Sequence, residues 1–110
     1  MKRSFRLTKS RDFLRVRRCG KSHAHPLIVL IASPNLRGRT RVGIVAGKTV
    51  GKAVQRNRSK RMIRAVIQDL LPKVDPGWDI ILIARKPMAD GTYHQTETAL
   101  EELLLRAKLI

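Results

Sequence analysis

The chain has 110 residues, enough for one small domain with one modest core. Lys and Arg number 24 against 8 Asp and Glu, a net charge of +16, and 43% of residues are hydrophobic. Such a charge is tolerated chiefly by proteins that meet a polyanion, and such a hydrophobic fraction excludes a disordered basic tail. Cys19 is alone, which excludes an internal disulfide and a cysteine-based zinc site and suits a reducing cytoplasm. No apolar run approaches a membrane span, and the basic start lacks the apolar stretch of a secretory signal, so a cytoplasmic protein is expected. The charge is uneven: residues 1–68 hold 19 basic residues and one acid, whereas residues 69–110 hold 5 basic and 7 acidic ones. The anionic partner is therefore expected on the first two thirds.

In chain order, residues 1–7 read as a basic arm on a single domain, 1–110. A helix is expected over Thr8–Cys19, capped by Thr8 and stopped by Gly20. Phe13 and Val16 share one of its faces, with Lys9 beside them, and Arg11, Arg15 and Arg18 lie on another. Pro26–Ala32 and Arg41–Ala46 are short, apolar and β-branched, which predicts two strands, joined as an antiparallel hairpin by the loop Pro34–Arg39. Lys52–Leu71 is the main helix, about 30 Å long, ended by Pro72. Ser59, Met62, Ile63, Val66, Ile67 and Leu70 fall on one side, and Asn57, Arg58, Lys60, Arg61, Arg64 and Gln68 on the other. Pro76-Gly77 is a turn into a central strand, Trp78–Arg85. Thr92–Lys108 is the last helix, opened by the capping pair Thr92 and Gln95, with Thr96, Ala99, Leu100, Leu103, Leu104 and Ala107 as its buried stripe. The order α-β-β-α-β-α predicts an α+β domain, helices packed on a small sheet. The segment from the second strand through the main helix to the third strand is compatible with a parallel crossover.

The strongest chemical signal is Lys48–Arg64, in which seven of seventeen residues are basic and none is acidic. Like charges at helical spacing cost a few tenths of a kcal/mol per pair in isolation. A phosphate backbone offsets that repulsion by pairing with the cations and releasing counterions. Asn57 can both donate and accept, toward a base edge, a 2′-hydroxyl or a backbone group. His23 and His25, at i and i+2, read as solvated loop residues, and His94 as a surface residue. Trp78 and Tyr93 read as packing residues. No nucleophile arrangement or nucleotide loop is present, and seven of the eight acids lie outside the basic region, so protein side chains are not expected to catalyse.

Gly51–Arg64, read Gly-Lys-Ala-Val-Gln-Arg-Asn-Arg-Ser-Lys-Arg-Met-Ile-Arg, resembles the Arg-Asn-Arg signature of the protein subunit of bacterial ribonuclease P. Arg6-Leu7, Asp12-Phe13 and Gly20 resemble that family's first-helix segment. Arg41-Val42-Gly43 resembles its second strand, and Ile81–Pro87 its third strand and following loop. The resemblance spans nearly the whole chain. It implies a small partner of a catalytic RNA that removes the 5′ leader of precursor tRNA, the RNA carrying out phosphodiester hydrolysis with bound Mg2+. It implies a left-handed βαβ crossover, against the usual hand. By matched position, Arg56, Asn57, Arg58, Lys60, Arg61 and Arg64 would contact the catalytic RNA, with Lys48 and Lys52 extending that surface. Phe13 would line a cleft for the single-stranded leader, together with Lys9, Arg17, Leu27 and, from the arm, Phe5. Aromatic residues recur in the family one turn after the Phe and along the first strand. Here Arg17, Leu27 and Leu30 stand instead, so leader binding is expected to rely more on charge and apolar contact. The implied partners are ribonuclease P RNA and precursor tRNA, with no membrane and no small-molecule substrate. Composition alone leaves a ribosomal or RNA-chaperone protein as the alternative. A helix-turn-helix DNA reader lacks the preceding helix, since a strand occupies its place.

Overall fold

The structure is a computed structural model that describes residues 2–110; Met1, the first residue of the expected arm, and the Arg3 side chain lie outside the described residues. Helix α1 covers Ser10–Cys19, strands β1, β2 and β3 cover Lys21–Ala24, Ile28–Pro34 and Arg41–Ala46, α2 covers Ala53–Leu70, β4 covers Trp78–Ala84 and α3 covers Tyr93–Arg106. The strands form one sheet in the order β1-β2-β4-β3. β2 is antiparallel to both β1 and β4, while β3 and β4 run parallel with α2 as the crossover between them. The α+β class and the placement of all three helices therefore agree with the sequence.

Three expectations are corrected. First, β2 and β3 do not form a hairpin. β4 lies between them, because Ile80, Ile81 and Leu82 are fully buried and a strand apolar on both faces takes an inner position. Second, β1 is a strand rather than a loop carrying His23. Its sequence, Lys-Ser-His-Ala, has no apolar alternation, and its backbone pairing to β2 alone defines it. His25, just beyond it, accepts a hydrogen bond from the Leu27 N–H on Nδ1 at 3.0 Å, and its Nε2 lies 3.3 Å from a Glu102 carboxylate oxygen. It is a structural residue rather than a solvated one. Third, Lys9 rather than Thr8 holds the cap position of α1, with no side-chain cap bond. The C-terminal stop at Gly20 stands, but through packing. Gly20 is extended (φ −80°), and a Cβ there would sit 2.8 Å from Ile31 Cγ2.

The sheet separates two apolar layers. Ile28, Leu30, Ala32, Val42, Ile80, Leu82 and Ala84 face α2 and α3, where Ile63, Ile67, Leu100, Leu103 and Leu104 close the main core. Each such fully buried side chain contributes about 1.5–3 kcal/mol. The alternate residues face α1, where Leu7, Val16 and Ile81 are buried and Phe13, Ile31, Val45 and Ile83 pack around them. The stripe expected on α2 is buried at Ser59, Ile63, Val66, Ile67 and Leu70, with Met62 half-buried. At Pro72 the α-helix does not break off; it tightens into a 3-10 turn over Leu71–Lys73. Thr92 and Gln95 form the expected capping box, the Gln95 N–H reaching Thr92 Oγ1 at 3.1 Å. The free edge of β3 is shielded by the arm, since the Leu7 N–H donates to the Val42 carbonyl at 2.9 Å and Arg6 bridges Val42.

Helix α1 is held to the sheet by charge as well as by packing. Asp79, at the start of β4, is fully buried. Its Oδ1 accepts from Arg41 Nε at 2.9 Å and from Asn35 Nδ2 at 2.8 Å. Its Oδ2 accepts from Arg41 Nη2 at 2.8 Å and from Arg15 of α1. Arg41 Nη1 lies 3.6 Å from Asp12 Oδ2, a second tie to α1. Burial alone would push the Asp79 carboxyl up, but the bonds from Arg41, Asn35 and Arg15 outweigh it and hold its pKa below the ordinary 3.8. The stabilisation from Asp79 is therefore complete above that ordinary value and is lost as the pH falls through the lower folded value. Asp79→Asn keeps the shape and removes the charge. It is expected to cost about 3 kcal/mol in urea unfolding at pH 7, with the gap to wild type narrowing below pH 3.8.

Candidate nucleic-acid interface

Helix α2 carries one cationic face. Asn57 and Arg61 are exposed, while Arg56, Lys60 and Arg64 are half-buried along their stems. Lys48, in the 3-10 turn Lys48–Val50, and Lys52, just ahead of α2, are both exposed and continue this face toward its N-terminal end. Among the described residues no carboxylate lies within ion-pair distance of any of these cations. The Nε atoms of Arg56 and Arg64 are shielded from solvent and have no hydrogen-bond partner among the described residues.

Arg58 departs from the rest of this set. Its Nη1 donates to the Ala89 carbonyl at 3.1 Å and its Nη2 to the Gly91 carbonyl at 2.9 Å. The guanidinium fork ties α2 to the turn that leads into α3. The spacing of Arg58 put it on the basic face, but its position at the border of that face lets it reach these carbonyls, which sequence periodicity does not reveal.

The second surface lies on the opposite layer. Asp12 and Arg15 turn one flank of α1 toward the Arg41–Asp79 end of the sheet. Phe13, on the other flank, lies so close over Gly43 that a Cβ there would run into its ring. Lys9 and Arg17 stand one turn before and one turn after Phe13 on that flank, both exposed. Beyond it the sheet presents a row in cross-strand register, Val29, Ile83 and Val45, all half-buried. Val45 and Ile83 pack beside the Val16–Ile81 cluster yet keep partial exposure, as does Val29, so Lys9, Phe13 and Arg17 stand beside a half-exposed aliphatic row, the candidate groove. Sequence reading missed the residues of this row. The signal was the apolar character of both faces of β2 and β4, of which only one is needed for the main core.

The structure separates the other two groove candidates from this place. Leu27 packs against the main core, on the layer of α2 and α3, and Leu30 is fully buried there. Phe5 sits in a hollow at the C-terminal end of α2, with Leu71, Val74 and Thr40. The two surfaces meet around the β3 edge. A hollow of about 180 Å³ is lined by Phe13 of α1, Arg64 of α2, Arg6 of the arm and Thr8 just ahead of α1.

The chemistry available is binding. Asp12 and Asp79, the acids at the α1 end of the sheet, are engaged by arginines. Among the described residues no group of three or more His, Cys, Asp or Glu is placed to hold a metal. No helix among them is long and apolar enough to cross a membrane. Trp78 packs against the main core, whereas Tyr93 is exposed and its hydroxyl donates to Asp69 at 3.0 Å, linking α3 to α2.

The family model described as Ribonuclease P matches residues 1–108. The chain is 42% identical to the ribonuclease P protein component of Herpetosiphon aurantiacus, covering 99% of this chain and 89% of that one. It is 38% identical to that of Roseiflexus castenholzii, covering 100% and 91%. Its fold superposes with a TM-score of 0.90 on a Staphylococcus aureus RNase P protein mutant with defective mRNA degradation activity, at 34% identity over 97% of this chain and 91% of the other. For the RNase P protein from Thermotoga maritima the TM-score is 0.83, at 31% identity over 92% and 96%. These matches separate the chain from ribosomal and RNA-chaperone proteins of similar composition: it belongs to the ribonuclease P protein family and is a protein subunit of the ribonucleoprotein that processes tRNA 5′ ends.

Proposed function

We propose that the chain serves ribonuclease P through two binding surfaces on one body. The α2 face, with Lys48, Lys52, Arg56, Asn57, Lys60, Arg61 and Arg64, anchors the catalytic RNA. The groove between α1 and the sheet holds the single-stranded leader of precursor tRNA, with Lys9 and Arg17 on its phosphates and Phe13 and the aliphatic row against its bases. The observation that carries this reading is the α2 face itself, a one-signed surface with no carboxylate within ion-pair distance among the described residues. An RNA backbone supplies the counter-charge that this face lacks. The carboxylates do not fit a metal site, because among the described residues no three His, Cys, Asp or Glu side chains are grouped to hold one. The reading therefore leaves Mg2+ and hydrolysis to the RNA, while the protein's cations screen phosphate repulsion around them. It places this work in the cytoplasm, where Cys19 stays reduced.

Reconstitution tests the function directly. Adding the protein to a ribonuclease P RNA at low Mg2+ is expected to raise the rate of leader release from precursor tRNA. No increase, or cleavage by the protein alone, would overturn the reading. Substitutions on α2 are expected to fall into two kinds. Arg56→Ala, Arg61→Ala and Arg64→Ala together should weaken binding to the RNA subunit by tenfold or more while the melting temperature holds. Arg58→Ala should instead lower stability by about 1.5–3 kcal/mol, the worth of charged hydrogen bonds to its two carbonyls. Equal melting temperatures for the two would reject the division. Phe13→Ala should narrow the preference for precursor over mature tRNA about fivefold, within the worth of one stacked base, with affinity for the RNA subunit kept. An unchanged preference in a folded variant would remove Phe13 from the groove's function.

A further inference from the structure

The arm and the end of α2 enclose a hollow of about 410 Å³. Leu71, Pro72, Val74 and Pro76 line it together with the half-buried ring of Phe5. The arm is fixed here by local bonds. The Phe5 N–H donates to the Lys2 carbonyl at 3.0 Å, and Arg39 Nε donates to the Ser4 carbonyl at 2.9 Å. Lys2 and Arg39 also line the hollow, and no acid does. An aromatic ring beside aliphatic walls, edged by two cations, suits a ligand with a flat apolar face and a negative charge attached to it. An unpaired nucleotide has both.

Position selects the RNA. Gln68 lines the hollow, and it stands one turn beyond Arg64 on the same face of α2 as Asn57 and Arg61. A strand that follows the cationic row toward the C-terminal end of α2 arrives at Phe5. The leader groove lies on the other layer of the sheet. We propose that this hollow is a single-base pocket: one unpaired base of the RNA subunit stacks on Phe5, and its phosphate is held by Lys2 and Arg39. The proposal rests on the reading that the α2 face binds the RNA subunit.

The test uses the full chain and the RNA subunit without precursor tRNA. Affinity is measured for wild type, Phe5→Ala, Phe5→Trp and Arg61→Ala. Fluorescence of Phe5→Trp is read as the difference from wild type, which contains only Trp78. Phe5→Ala is expected to weaken binding about tenfold and Phe5→Trp to keep it within threefold of wild type. The added Trp signal should be quenched by the RNA subunit and not by a leader oligonucleotide alone. Unchanged affinity in folded Phe5→Ala, no quenching by the RNA subunit, or quenching by the leader oligonucleotide would each overturn the pocket. Should Phe5→Ala fail to fold, the quenching decides alone. Weakened binding in Arg61→Ala with none in Phe5→Ala removes only the pocket, whereas no loss in either removes the α2 reading beneath it.

Discussion

The carboxylate of Asp79 is the point through which three parts of the molecule are joined. Arg41 from the neighbouring strand, Arg15 from α1 and Asn35 from the loop all donate to it, and it has no exposure to water. In a chain of net charge +16 two arginines from different elements approach each other only across a shared anion. Taking that anion out of water is costly, and only the full set of bonds makes the arrangement stable. The arrangement fixes one flank of α1 to the sheet. The other flank then stands over Gly43 with Phe13, and the row Val29, Ile83 and Val45 stays half-exposed. A single buried ion cluster thus fixes how α1 lies on the sheet, with Phe13 over Gly43.

The opposite layer follows another logic. The residues of α2 that face inward form an ordinary aliphatic stripe, while those that face outward repel one another. Among the described residues no carboxylate pairs with them. On the proposed reading, that repulsion is offset when an RNA covers the surface. Arg58 is the exception that keeps the helix in place: two carbonyls of the turn before α3 satisfy it without any partner.

Much of this was legible in the residues. The 3.6-residue period of α2, the capping pair Thr92–Gln95 and the apolar run Ile80–Ala84 of β4 each determine an element by local physics, and each stands in the structure. The one-signed charge of Lys48–Arg64 marked the main surface. What escaped were features set by distant contacts. β1 exists only because β2 offers it a partner. The insertion of β4 between β2 and β3 depends on which strand most needs cover on both faces. Leu27 and Phe5 resembled groove residues by sequence position, but strand alternation and the path of the arm put them on other surfaces. Arg58 looked like its neighbours because helical spacing records direction and not the carbonyls that happen to lie within reach.

The floor of the groove has one more implication. Val29, Ile83 and Val45 present methyl groups where a site built to read a message would present amides or hydroxyls. Methyl groups offer a flat surface no hydrogen bonds to choose between, so on the proposed reading a strand lying on this row would not be selected by the order of its letters. A polypeptide binding in that way would suit many transcripts with an unpaired extension, leaving the choice of where to cut to the shape of the molecule behind it.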